Sequence, residues 1–227
     1  MHGAWGSIAE WTQVEMLLEK AGHRVYLASL TGLGDRAHLK RPDIDLETHI
    51  LDVTNTIEVL DLKGIYLVGH SYGGMVITGV WDRVSDRIEH VIYLDAFVPE
   101  NRHSLADYLV ADEEILNSND DIVELAAENA GWVPLFGGRR ELPEPYLHPL
   151  HTFIDPLVLR EGSLPRGTKR TYIRAVGSAV EEASPTFAQF AELIRDDSAW
   201  NYMEIETGHG VQTEDSDGLA RILLEIE

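Results

Sequence analysis

Apolar and polar positions along the chain follow two different periods. Short, mostly apolar runs predict buried strands, and between them apolar residues recur every three or four positions, as in amphipathic helices. Strands alternating with helices predict an α/β fold with a mostly parallel sheet and helices on both faces. The predicted strands are residues 24–30, 65–68, 90–94, 170–176 and 201–205. The predicted helices lie between Ser7 and Gly22, over 46–60, over 75–84, from Pro185 onward, and along a final stripe of Leu219, Ile222, Leu223 and Ile226.

Residues 100–165 interrupt this alternation with scattered prolines, glycines and short helical pieces. We interpret the segment as a lid inserted into one domain that spans residues 1–227, since a chain of 227 residues has room for one full core but not for two.

Composition narrows the possible functions. The chain has no cysteine, which excludes disulfides and thiolate chemistry and fits a reducing compartment, so we expect a cytoplasmic protein. No apolar run approaches the ~20 residues of a membrane span, and the first residues do not resemble a signal peptide. The formal net charge of −21 argues against nucleic acid or an anionic membrane as a partner.

The pattern G-x-S-x-G at residues 69–73 gives the first candidate for chemistry. It lies between a predicted strand and a predicted helix, where a nucleophile elbow would present Ser71. The turn of such an elbow is so tight that side chains at Gly69 and Gly73 would clash. The alternative is a glycine-rich turn with an incidental serine, and we favour the elbow.

A serine hydroxyl needs a base and donors for the oxyanion. His209 is the candidate base, because it lies in a loop after the last predicted strand, where such sheets build their sites. His70 is interpreted only as a flank of the serine. The candidate oxyanion donors are the backbone N–H of Tyr72 and that of Ala4, which belongs to an HGAW loop at the start of the chain.

These motifs resemble the α/β-hydrolase superfamily, and within it the small esterases related to plant methyl salicylate esterases and hydroxynitrile lyases. A bacterial branch that includes a carbamate-fungicide hydrolase is similar as well. The resemblance covers nearly the whole chain and is weakest across the lid. It rests on HGAW from His2, AGHRV from Ala21, TGLGDRAHL from Thr31, GHSYGGM from Gly69, YLDAFVP from Tyr93 and TGH from Thr207.

The resemblance implies a third catalytic residue, a carboxylate that orients the histidine. The superfamily usually places it after the penultimate strand, but the segment 172–179 carries no carboxylate there. Asp95, at the end of the strand that follows the elbow, is our preferred acid. A carboxylate next to the buried run Tyr93-Leu94 would be costly unless it were paired, and some members of the superfamily draw their acid from that strand. Glu181 and Glu182 are the alternative.

The resemblance also implies a strand before the HGAW loop, in the middle of the sheet. The chain begins at that loop, so this first strand is missing from the expected fold. Its absence would leave backbone groups of the neighbouring strands unpaired. We therefore expect either a native chain that starts further upstream or a weakened sheet.

Together these features predict a serine hydrolase of carboxylic esters, or of amides or carbamates, that works through an acyl-enzyme without metal or organic cofactor. We expect a small, apolar, ester-like substrate. The alternatives are a hydroxynitrile lyase, which the Gly210 after the histidine disfavours, and a non-catalytic receptor on the same fold. The candidate pocket residues, each of which could instead be ordinary core, are Trp5, Phe97, Trp132, Phe136 and Phe153.

Overall fold

The structure is a computed structural model that describes residues 1–109, 119–134, 147–177 and 185–226. In chain order its helices and strands are α1 (Thr12–Lys20), α2 (Leu46–Val59), β1 (Ile65–His70), α3 (Gly73–Arg83), β2 (Ile88–Leu94), α4 (Leu105–Leu109), α5 (Asn119–Glu128), β3 (Trp132–Val133), β4 (His148–Pro149), α6 (His151–Ile154), β5 (Lys169–Ala175), α7 (Pro185–Arg195), β6 (Asn201–Ile205), α8 (Val211–Glu214) and α9 (Ser216–Glu225).

The main sheet has four strands in the order β1-β2-β5-β6, and every neighbouring pair is parallel. Its register places Val68 beside Ile92, Tyr93 beside Tyr172, and Tyr172 beside Tyr202. Because all four strands run in one direction, their carboxyl ends meet at one edge of the sheet. The predicted parallel α/β architecture is confirmed, and the loops at that edge can share a site.

Alternating residues of the strands bury two apolar layers. On one face Val91 and Tyr93 of β2 pack in a cluster with residues of α2, α3 and α7. On the other face Ile92 and Leu94 pack with residues of α1 and α9. Burying a large apolar side chain contributes about 1.5–3 kcal/mol, so these layers fix which way each strand faces. The elbow after β1 is thereby held between two packed layers.

The first helical region begins as its sequence predicts. Ser7 caps a short 3-10 turn, and its side chain and that of Glu10 form a reciprocal capping box. The turn continues into α1, which ends just before Gly22, where φ is +102°. A positive φ at this point is the usual end of a helix.

Within the segment predicted as a lid, the described residues form α4, α5, α6 and a two-stranded antiparallel sheet of β3 and β4. Trp132 pairs with Pro149 and Val133 pairs with His148 in this small sheet. It is separate from the main sheet, which agrees with the break in the sequence pattern.

The prediction of a strand over residues 24–30 is wrong. This segment belongs to no strand of the structure. Met1 makes two strand-like bonds to the edge of β1, its amine donating to Val68 O (2.9 Å) and its carbonyl accepting from His70 N (3.2 Å). Below Met1 a groove of about 680 Å³ separates the rest of β1 from residues 23–28. The segment predicted as a strand therefore faces β1 across this groove. An apolar run forms a strand only where a neighbouring strand accepts and donates its backbone hydrogen bonds.

Helices from both faces of the sheet, β1 and residues 23–28 form the walls of this groove. Lining residues include Trp11, Val14, Tyr26, Ile57, Leu67 and Leu223. The groove lies beside β1, where the resemblance implies a strand before the HGAW loop. In the described parts of the chain, no helix combines the length and the apolar character needed to cross a membrane.

Candidate active site

Ser71 lies in a sharp turn between the end of β1 and the start of α3. Its φ of +55° falls in the left-handed region, which costs a non-glycine residue about 1 kcal/mol or more. The surrounding backbone holds it there: Ser71 N donates to Leu94 O (3.3 Å), and Ser71 O accepts from Phe97 N (3.2 Å). The loops after β1 and β2 thus fix the conformation that the turn needs to present a serine side chain.

The glycines on either side of Ser71 allow the chain to turn so tightly. A Cβ on Gly69 would lie 2.7 Å from Gly73 O, which no real side chain tolerates. A Cβ on Gly73 would lie 3.1 Å from His2 O, a tight contact that requires a small displacement. Position 69 is therefore the stricter of the two positions for which the sequence predicted a clash.

Asp95 follows the last residue of β2 and is completely buried. Its own φ is +40°, and its backbone N–H donates to Ile173 O at 2.7 Å. In this conformation its carboxylate points to the loop after β6, where Oδ2 accepts a hydrogen bond from His209 Nδ1 at 2.7 Å. The structure therefore brings the preferred acid and the candidate base into direct contact.

A second partner shares the Asp95 carboxylate. Oδ1 accepts from the guanidinium of Arg174 in β5, and the Ala175 N–H lies 3.3 Å from the same oxygen. Burial would raise the pKa of Asp95, but the hydrogen bond and charge of His209 and the charge of Arg174 hold that pKa below its ordinary value. The carboxylate is thus ionised at neutral pH.

His209 lies in the loop between β6 and α8. Phe187 of α7 stacks on the His209 ring, with the ring centroids 4.9 Å apart. The His209 side chain remains 40% exposed. With the proton on Nδ1 directed to Asp95, the neutral ring presents an unprotonated Nε2. That nitrogen can accept a proton from a group at the exposed side of the ring.

His70, interpreted from the sequence as a flank of Ser71, also contacts His209 directly. Its Nε2 donates to the backbone carbonyl of His209 at 2.7 Å, and the two rings lie 4.5 Å apart. Burial lowers the pKa of His70 to about 3, which keeps the ring neutral. Gln212 Nε2 approaches the other ring nitrogen at 3.5 Å and donates to Glu10 at 3.2 Å. This chain of contacts holds the loop of His209 against the elbow.

The HGAW loop approaches Ser71 from the other side. A Cβ on Gly3 would lie 2.8 Å from the Cβ of Ser71, so only glycine fits this close approach. The next residues form a turn in which Gly6 N donates to Gly3 O (3.3 Å) and Trp5 has a φ of +56°. In the loops and turns of the described residues, neither the Ala4 N–H nor the Tyr72 N–H donates a backbone hydrogen bond.

His148 of β4 supports this loop, and sequence reasoning missed it. Its Nδ1 accepts from Trp5 N at 3.2 Å, and the Trp5 indole donates to Val133 O in β3 at 2.9 Å. The small sheet of the insertion thus braces the residue that follows Ala4. Because 143 residues separate His148 from Trp5, no local sequence signal could have indicated the contact.

The aromatic candidates for a pocket fall into separate places. Trp5 and Phe153 are neighbours, with ring centroids 5.5 Å apart, and Phe153 is completely buried. Phe97 packs instead on Phe187 (4.9 Å), the residue that stacks on His209. Trp132 lies beneath the ammonium of Lys40, 4.1 Å from the ring centroid. Phe136 lies outside the described residues.

The alternative acids, Glu181 and Glu182, also lie outside the described residues. The usual place for the acid, just after β5, is occupied by Val176 and Gly177. Gly177 N donates to Thr207 O at 2.8 Å, and a Cβ at this glycine would lie 2.5 Å from the same oxygen. The loop after β5 therefore packs on the histidine loop where a carboxylate would otherwise stand.

Comparisons with known proteins agree with this fold. A "Carbendazim hydrolyzing esterase" from Nocardioides sp. (strain SG-4G) is 36% identical over 245 residues, covering 98% of this chain and 96% of that protein. Methylesterase 1 from Arabidopsis thaliana is 32% identical over 105 residues, covering 45% of this chain and 38% of that protein.

Among solved structures, one described as an extracellular alpha/beta-hydrolase from a Paenibacillus species, with homology to tobacco Salicylic Acid Binding Protein 2, is similar throughout. Its TM-score is 0.75 at 25% identity, covering 99% of this chain and 96% of that one. The family model for alpha/beta hydrolases matches residues 1–222. This chain belongs to the alpha/beta hydrolase family.

Proposed function

We propose that this protein hydrolyses carboxylic esters with Ser71 as nucleophile, His209 as base and Asp95 as the acid that orients the base. The observation that supports the proposal most is the 2.7 Å hydrogen bond between His209 and the buried carboxylate of Asp95, in a loop held directly against the elbow. The relatives named as esterases support the same reaction class.

The reaction begins when Ser71 Oγ attacks the carbonyl carbon while His209 Nε2 takes the hydroxyl proton. The C–O bond to the alcohol then breaks, and the imidazolium returns its proton to the departing alkoxide. Water attacks the resulting acyl-enzyme, with His209 again accepting a proton. Collapse of the second tetrahedral intermediate releases the carboxylic acid and restores Ser71.

The negative oxygen of each tetrahedral intermediate is stabilised by the Ala4 and Tyr72 N–H groups. Tyr72 directly precedes α3, so the oxyanion also lies at the positive end of a helix dipole. Trp5 is braced by His148 and Val133, which fixes the adjacent Ala4 before the substrate arrives. Donors placed in advance need no reorganisation during the reaction.

Asp95 contributes by charge and by orientation. Its hydrogen bond keeps the His209 proton on Nδ1, and its negative charge stabilises the imidazolium formed in each half-reaction. His70 fixes the backbone of the same loop through the His209 carbonyl. The base is thus held by its ring and by its main chain.

The substrate is a small, apolar ester or carbamate. Phe97 and Phe187 lie beside His209 and provide apolar surface next to the base. Carbamates are included because one relative is named for hydrolysing carbendazim and because a carbamate presents the same acyl carbonyl to Ser71. The segment 100–165 acts as a lid of the single domain, since Val133 and His148 from within it contact Trp5.

The chain acts in the cytoplasm, a compartment that suits a protein without cysteine. Its formal net charge of −21 disfavours nucleic acid and anionic lipid as partners. The relative from Paenibacillus is described as extracellular, so cell fractionation with an antibody to this protein provides the test. Recovery of the protein only from the medium would contradict the assignment.

The central experiment measures hydrolysis of p-nitrophenyl esters of increasing acyl length by the protein and by Ser71→Ala. We expect loss of turnover and of labelling by a fluorophosphonate in Ser71→Ala. Ser85→Ala, two residues beyond the end of α3, is the control and keeps both. Stoichiometric labelling of Ser71→Ala would place the nucleophile at another residue.

A further inference from the structure

Each oxygen of the Asp95 carboxylate binds a different basic side chain. Oδ2 binds His209, whereas Oδ1 binds the guanidinium of Arg174, and both Asp95 and Arg174 are buried. A buried arginine placed directly on the acid of a catalytic triad adds a permanent positive charge to the group of charges that must rearrange during the reaction.

We propose that Arg174 is a positioning residue that fixes the Asp95 carboxylate and keeps it ionised, so that Oδ2 remains available to His209. This inference rests on the proposed roles of Ser71, His209 and Asp95.

The geometry of β5 explains how Arg174 can do this. Its side chain and the backbone N–H of the next residue, Ala175, both point at Oδ1, so that two groups on one strand determine the orientation of the carboxylate plane. Asp95 itself is tied to the same strand through its N–H bond to Ile173 O at 2.7 Å. With Oδ1 and the backbone held, Oδ2 has one direction left, toward His209.

The charges support the same role. In the resting state the charges of Arg174 and Asp95 neutralise each other. When His209 takes the proton, its new positive charge is matched by the oxyanion, so the site as a whole keeps no net charge in either state. Without Arg174 the resting state would contain a buried, uncompensated carboxylate, which is costly and favours protonation.

Among the described residues, the titratable groups that bear on the Asp95 carboxylate are His209, Arg174, His70 and Tyr172. His209 and Arg174 lower its pKa, and the neutral ring of His70 and the phenol of Tyr172 lie close enough to feel its charge. His70 is held neutral by burial, and burial raises the pKa of Tyr172 well above its ordinary value. Arg174 is thus the permanent cation among these groups.

The test compares Arg174→Met, which removes the charge, with Arg174→Lys, which keeps it. We expect Arg174→Met to lower kcat about 10²-fold with little change in KM, the size of effect that a misplaced catalytic group produces. The acidic limb of its pH–activity profile should also move to higher pH. Without the Arg174 cation, burial raises the pKa of Asp95, so the carboxylate is protonated at a higher pH than in the parent protein. Arg174→Lys should recover most of kcat and the original acidic limb.

Arg83→Met is the matched control. Arg83, the last residue of α3, is another largely buried arginine, and it forms an ion pair with Glu47 of α2. Its loss therefore tests for a purely structural effect. We expect it to lower the melting temperature and leave the acidic limb unchanged.

A double variant keeps the proposal testable if Arg174→Met folds poorly. Asp95→Asn with Arg174→Met removes both charges, leaves no unpaired ion, and should lose no more activity than Asp95→Asn alone, because Arg174 acts through Asp95. Additive losses would contradict the proposal. It would also be overturned if Arg174→Met kept the kcat and acidic limb of the parent protein while Ser71→Ala was inactive. Activity retained in Ser71→Ala would instead refute the proposed function.

Discussion

Nδ1 of His209 lies 2.7 Å from Oδ2 of Asp95, although 114 residues separate the two side chains along the sequence. The contact joins the loops after β6 and β2, which are not neighbours in the strand order because β5 lies between them. Asp95 reaches across β5 with a positive φ and a backbone bond to Ile173. This arrangement places a carboxylate from the strand after the elbow in contact with the ring of the histidine.

Asp95→Asn should lower kcat for p-nitrophenyl acetate by about 10⁴-fold, because the amide would favour the wrong tautomer of His209. The measurement is steady-state hydrolysis at neutral pH. Glu181→Gln combined with Glu182→Gln is the control and should cost little. The assignment of the acid is wrong if the double glutamate variant is inactive while Asp95→Asn stays near the parent rate.

The protein should hydrolyse short aryl esters and release no cyanide from mandelonitrile. Departing cyanide is stabilised by a nearby cation, and the residue after His209 is the uncharged Gly210. Cyanide is measured against the rate of the Ser71→Ala protein under the same conditions. Release well above that background would favour the lyase over the hydrolase.

Stability should fall as the pH is lowered below about 6.5. Burial lowers the pKa of His2 and His49 to about 4 and that of His70 to about 3, from an ordinary value of 6.5. Below pH 6.5 the unfolded chain therefore binds protons that the folded protein does not. Each of these histidines should cost about 1.4 kcal/mol per pH unit until its folded pKa is reached.

Urea unfolding between pH 7 and pH 5 measures this slope. His49→Gln should reduce the slope by one proton, whatever it does to the overall stability. His38→Gln, at an exposed position, is the control for the loss of a histidine as such. Equal slopes for the parent and His49→Gln would show that His49 takes up its proton in the folded protein.

An apolar extension of five residues joined before Met1 should raise the melting temperature. The bonds of Met1 to Val68 and His70 set a parallel register, and continuing it would lead about 16 Å of added chain along β1 into the groove. New ladder bonds and burial should raise the melting temperature by about 5 °C or more. A Gly-Ser extension of equal length is the control, and equal melting of both proteins would mean that the groove does not take a strand.

Much of the fold and part of the candidate site could be predicted from local sequence. The apolar runs of β1, β2, β5 and β6 and the stripes of the helices depend on residues close together in the chain, so their periods are visible without a structure. The elbow is equally local, because Gly69, Ser71 and Gly73 must lie in one turn for the serine to be presented. The preference for Asp95 over Glu181 and Glu182 came from its place at the end of a buried strand beside the elbow strand and from a resemblance, and it stays a proposal.

Other features were decided only by tertiary structure, because they depend on partners far away in the sequence. Residues 24–30 have the composition of a strand, yet they form no strand because a groove separates them from β1, the strand with which they would pair. In the sequence Arg174 is one of three basic residues of β5, and only folding places the Asp95 carboxylate beside it, where burial makes an ion pair necessary. His148 gave no signal either, since its role depends on Trp5 at the other end of the chain. Periodicity determines which segments fold locally, whereas the contacts that hold a buried charge or complete a sheet are determined only when distant segments meet.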